Sequence, residues 1–245
     1  MRGIAKIAGL HLAGNALLLW LGYYWLGIGE ARAAALAWSA LVGLVLLAAA
    51  CWLHGATFAW FRAPFEPRVF PRTLRRVAPL VVLVLVIAVI YLLLDRLQEW
   101  SSGPGFSLAS WLTLKLRKPV KPAAVLNFFA WLFRVLRWAV VPVFVLPLAA
   151  DVASTGWAGF KACSRMAGKW RYWIAAPVLL VLALWAPLAI IGWVPSLESF
   201  AMQMASFVVR LLAAYLLFTA SWLVLAFLTS GGKPEWSQPK TEAKP

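Results

Sequence analysis

Carboxylates, histidines and cysteines are scarce in this chain, and their scarcity removes most enzymatic chemistry at the outset. Eight Asp and Glu, two His and two Cys are spread over 245 residues. No HExxH, no GxSxG and no glycine-rich phosphate loop occurs, so a metal-dependent or nucleotide-driven enzyme lacks its parts. Cys51 and Cys163 lie in or beside different apolar segments without CxxC spacing, which implies neither a disulfide nor a metal centre. The sequence therefore leans away from an enzyme and calls for no cofactor. Any energy coupling would have to come from an ion gradient or a separate ATPase subunit.

Long apolar runs are what the chain has in quantity. Hydrophobic residues make up 64% against 13% charged, and Trp alone contributes 16 residues. The mean hydropathy is +0.84. A soluble domain does not carry that composition. The expected fold is all-α: a polytopic integral membrane bundle of about six transmembrane helices with amphipathic interfacial or re-entrant segments. The spans are placed at about 7–29, 33–53, 77–94, 138–160, 173–192 and 211–229, each near the ~20 residues that cross a bilayer. Residues 1–230 are read as one membrane domain and 231–245 as a disordered polar tail, rich in Gly, Pro and charge.

The charge balance is lopsided, with 23 Lys and Arg giving a net charge of +15. The basic residues cluster at the ends of apolar stretches, where they orient the protein and attract anionic headgroups, so no nucleic-acid partner is expected. Residues 55–76 carry Arg62, Arg68, Arg72, Arg75 and Arg76 with three prolines and Glu66. That segment reads as interfacial rather than as one continuous helix. It is either an orientation signal alone or a lipid-recognition site. Residues 97–105 read as a Gly/Pro turn, followed by an apolar stretch too short to cross. Lys115, Arg117, Lys118 and Lys121 form a second basic hinge, and the stretch to Arg134 and Arg137 is amphipathic. Residues 105–137 are thus a second interfacial region, with a re-entrant hairpin near 104–121 as the alternative. Lys161, Arg165, Lys169 and Arg171 make a third basic loop.

The first apolar run follows a short basic start and is too long, without a small-residue cleavage pattern, for a removable signal peptide. It reads as an uncleaved span of a cell-membrane protein, of the bacterial inner-membrane type, with a cytoplasmic N-terminus. The basic residues divide alike between the two sides whether or not 104–116 crosses, so they do not decide the topology beyond residue 100.

A few polar residues stand inside the spans at considerable cost. Asp151, four residues after Pro147, suits a proton or cation site at a broken helix, or else an interhelical hydrogen bond or a cap shared with Ser154 and Thr155. His11 and Asn15 are four apart on one face and suit helix packing or hydrogen bonding more than ligation. His54 ends the second span at the interface. Arg210 is a counter-ion or snorkels to the interface. Ser39 and Gly43 form a small-residue pair that lets another helix approach. Pro142 and Pro147 are expected to bend or break the fourth span.

Three functions follow. The leading one is a non-catalytic accessory or scaffold protein that binds partner helices, or a second copy of itself, and anionic lipid. The next is a small-solute or proton-linked transporter built around Pro147 and Asp151. The third is a lipid-modifying enzyme.

Overall fold

The computed structural model describes residues 2–29, 31–63, 68–161, 170–196 and 198–230. Glu30, Glu66, Cys163, Arg165, Lys169 and the tail 231–245 lie outside the described residues. Within them every regular element is helical: α1 Arg2–Leu26, α2 Ala33–Arg62, α3 Val69–Leu74, α4 Val77–Trp100, α5 Ser102–Leu116, α6 Pro122–Val135, α7 Val141–Thr155, α8 Trp170–Leu180, α9 Ala186–Gly192 and α10 Phe200–Thr229. Six continuous helices are long and apolar enough to cross a membrane: Gly3–Leu26, Ala33–Arg62, Val77–Trp100, Pro122–Lys161, Trp170–Gly192 and Phe200–Thr229. The protein is an all-α, multi-pass membrane protein.

Several helices overrun the expected spans. α2 does not stop at Leu53 but continues to Arg62, because Ala-Thr-Phe-Ala-Trp-Phe contains no breaker and the first proline is Pro64. α4 runs on through Asp95 and Arg96 to Trp100, and the Gly/Pro stretch opens α5 instead of forming a turn. Pro104 sits in the first turn of α5, where its missing N–H costs nothing. α10 starts at Phe200 and is capped by Ser199, whose hydroxyl accepts the Met202 N–H at 3.2 Å.

The prolines bend the expectation without breaking the helices. Pro147 and Pro177 lie inside α7 and α8. Pro142 and Pro187 each stand two residues past the end of a π-helical turn, Leu136–Val140 and Val181–Trp185. A widened turn accommodates the proline ring and releases a carbonyl that needs a donor. The Arg137 carbonyl finds it in the Tyr91 hydroxyl at 2.6 Å.

The described residues divide into two compact units, those up to Val81 together with those from Leu146 on, and residues 82–145. In the first, α1 and α2 run antiparallel, and α10 packs on both. The Tyr215 hydroxyl donates to the Leu12 carbonyl, and the Ser230 hydroxyl donates to Phe58 O at 3.4 Å. Trp25 of α1 occupies the small-residue notch of α2, donating to the Ser39 carbonyl at 2.9 Å beside Gly43. The helix that uses this notch is thus the chain's own α1. In the second unit, the last turns of α4 lead into the α5–α6 hairpin. Gly105 lies so close to Leu126 that an added Cβ would sit 2.8 Å from its side chain. The hairpin closes at Arg117, in the left-handed region at φ 51°, with the Thr113 hydroxyl accepting the Val120 N–H at 3.0 Å.

Candidate functional site

At one end of the first unit, α2, α3, the start of α4 and the end of α7 converge on a cluster of arginines. Arg62 is carried there by the extra turns of α2. Arg72 comes from α3, a six-residue helix seated by buried Val69 and Thr73. Arg76 stands just before α4. Together with Thr73 and Ser154 they line a cavity of about 60 Å³, several times what one water molecule requires.

Asp151 and α7 fix two of these arginines. Arg62 Nη2 contacts Asp151 Oδ1 at 2.6 Å, and Arg62 Nη1 donates to the Ser154 hydroxyl at 3.4 Å. Arg76 donates to the Ser154 carbonyl and, at 3.3 Å, to the Ala153 carbonyl. These are carbonyls that the last turn of α7 leaves without helical partners, and a cation is favoured there. α7 then gives way to a 3-10 segment, Gly156–Lys161, at Gly156 with φ +68°, the left-handed position that glycine adopts most readily. Asp151 is therefore half of an interhelical ion pair near a helix end, in an unbroken helix. Its Oδ2 is buried without a hydrogen-bond partner.

Electrostatically, the cluster favours an anion. Residues 62–76 with Asp151 hold five guanidiniums against two carboxylates, Asp151 and Glu66. Arg68, Arg72 and Arg75 are exposed. Guanidiniums match phosphate oxygens in a bidentate fork, and they are weakly hydrated enough to give up water at a membrane surface.

The intramembrane polar residues gather separately, among α1, α2 and α10. His11 Nε2 lies 2.8 Å from the Thr57 hydroxyl and Asn15 Nδ2 lies 2.8 Å from His11 Nδ1. The Thr57 hydroxyl donates to the Leu53 carbonyl at 2.9 Å. Its proton is thereby committed, so it accepts from His11, which carries its proton on Nε2 and accepts from Asn15 on Nδ1. His11 is spent as a helix clasp. His54 lies within α2, not at its end, with its ring 5.2 Å from that of His11 and 4.9 Å from that of Trp222. His54 Nδ1, Trp222 Nε1 and Thr219 Oγ1 are buried without hydrogen-bond partners.

Arg210 belongs to neither group. It lies inside α10, 8% exposed, and donates to Ile191 O at 2.8 Å and to Trp193 O. It closes the C-terminal end of α9, where carbonyls lack partners, and so acts as neither a carboxylate's counter-ion nor a snorkelling surface charge. The second unit places Lys115, Arg117, Lys118 and Lys121 exposed at the hairpin tip and Arg134 exposed on α6. Arg137 pairs with Asp95 at 2.5 Å.

Asp151, its neighbour Ser154 and the arginines stood out in the sequence, whereas Thr73 beside the arginines, and Thr57 and Trp222 beside the histidines, did not. Among the described residues no group of three or more His, Cys, Asp or Glu could hold a metal ion. No protein family, no curated protein and no solved structure matches the chain.

Proposed function

We propose that this multi-pass membrane protein is a non-catalytic accessory or scaffold protein that holds anionic lipid at the arginine end of its first unit. The observation that carries this reading is the cavity among Arg62, Arg72 and Arg76, held open by the Asp151 pair and by the end of α7. Preset guanidiniums around a phosphate-sized space bind a headgroup without the ordering cost that flexible surface lysines incur. The cytoplasmic N-terminus expected from the sequence would put this end against the anionic inner leaflet.

Two facts favour this role over transport. α7 continues through Pro147, and Asp151 Oδ1 is engaged by Arg62, so the broken-helix ion site lacks its break and its carboxylate already has a cation. The lipid-modifying alternative would use the histidines. His11 is committed at both ring nitrogens, and no carboxylate contacts His54 among the hydrogen bonds and ion pairs of the described residues.

Native mass spectrometry of the full chain, extracted gently with its lipid, tests the proposal. Wild type should retain anionic phospholipid stoichiometrically. The exposed-site variant Arg72→Gln should lower retention about tenfold, the worth of one charge-assisted hydrogen bond. Retention unchanged from wild type in both Arg72→Gln and the double variant Arg62→Gln/Asp151→Asn would refute it.

A further inference from the structure

In the second unit a cleft of about 470 Å³ is bordered by Asp95, Arg96, Gln98 and Glu99 of α4, Ser102 of α5 and Arg137 of the π-helical turn. That volume lies in the range of small-molecule sites. We propose that it binds the headgroup of a zwitterionic phospholipid, with a phosphate on its arginines and a primary ammonium on its carboxylates.

The charge pattern selects the ligand. Arg137 pairs with Asp95 at 2.5 Å, and Arg96 pairs with Glu99 at 2.9 Å. The cleft thus presents two cations and two anions side by side. A purely anionic group would meet the repulsion of both carboxylates, and a purely cationic one that of both arginines. A dipolar ion with an ammonium a few bonds from a phosphate meets neither. Gln98 and Ser102 lie beside them to take the ester and glycerol oxygens.

Arg137 has donor capacity left over. Its Nη2 is engaged with Asp95 and its Nε–H is buried, which leaves Nη1, without a partner among the described residues, to donate to a phosphate oxygen in the cleft. The backbone that carries this side chain is held from behind, since the Arg137 carbonyl accepts the Tyr91 hydroxyl at 2.6 Å.

Sequence and surface together indicate a lipid and not a dissolved solute. Asp95 follows directly upon the charge-free run Val77–Leu94, and Arg137 directly precedes the charge-free run to Ala150, so both stand where headgroups lie. Leu92 borders the cleft and is 64% exposed, and it continues onto exposed Val89 and Leu93 of α4. Acyl chains would lie along that apolar face while the headgroup occupies the cleft. Trimethylated choline is disfavoured, because it cannot donate hydrogen bonds to Asp95 and Glu99.

The test uses the full chain in liposomes of phosphatidylethanolamine, phosphatidylcholine and phosphatidylglycerol in equal parts, with retained lipid read by native mass spectrometry. The expected result is one retained phosphatidylethanolamine per chain. Retention should fall about tenfold in Arg137→Gln and likewise in Glu99→Gln, the size of one lost charge-assisted hydrogen bond. Glu99 is exposed, so its variant folds and decides the question even where Arg137→Gln does not. Retention of phosphatidylethanolamine that neither variant alters would overturn the proposal. So would phosphatidylglycerol retention that depends on Arg137 but not on Glu99. Displacement by glycerophosphoethanolamine at equal concentration would overturn the lipid assignment in favour of a soluble zwitterion.

Discussion

In the first unit Arg62 reaches Asp151 at 2.6 Å, and in the second Arg137 reaches Asp95 at 2.5 Å, with the arginine side chains 24% and 22% exposed and the aspartate side chains 13% and 55%. The cations are equally sheltered, and only the anions differ. A sheltered carboxylate cannot exchange its arginine for water, so the first pair belongs to the framework and orients a neighbouring cavity. A half-exposed carboxylate can share its arginine with an incoming group. The same chemistry therefore serves support in one unit and, on our reading, recognition in the other.

The largest effect should come from orphaning the sheltered carboxylate. Arg62→Ala is expected to destabilise by about 3 kcal/mol, the low end of the cost of leaving one partner of a buried pair alone. Unfolding in mild detergent measures it, and restoration by Arg62→Ala/Asp151→Ala would assign the loss to the stranded charge. Next comes the apolar interior of the first unit. Thr57→Val keeps shape but removes the acceptor of His11 Nε2–H, and should cost about 1–3 kcal/mol. The smallest effect belongs to the half-exposed anion: Asp95→Asn should change stability by less than about 1 kcal/mol. If Asp95→Asn and Asp151→Asn prove equally damaging, or Arg137→Ala matches Arg62→Ala, the contrast between support and recognition collapses.

The six membrane helices were legible because charge-free runs of spanning length have one economical conformation in lipid. Their ends were not, because arginine and aromatic residues are tolerated at headgroup depth. Arg62 terminates α2 no more visibly than His54 does, and only Pro64 marks the true limit. The partners of the polar residues were less legible still. Asp151 lies 89 residues from Arg62, and nothing in the periodicity of either helix says which faces meet. His11 and Asn15 shared a face by spacing alone. That the chain's other histidine lies against that face depends on the helix continuing past residue 54. Arg210 misled for a related reason, since its partners are the carbonyls of Ile191 and Trp193, groups that every residue carries and no sequence pattern distinguishes.

The contact between His54 and Trp222 also sets a schedule for biosynthesis. α1 and α2 are neighbours in the chain and their His11–Thr57 clasp joins residues 46 apart, so this pair closes early. Trp222 emerges 168 residues after His54, which at about 5–20 residues per second leaves the interval at roughly ten to thirty seconds. Throughout that time the side of His54 away from His11 faces lipid or whatever insertion factor shields it, until Trp222 of α10 covers it. A nascent chain arrested before Phe200 should therefore crosslink from position 54 to its surroundings, and one released after Ser230 should crosslink to α10 instead.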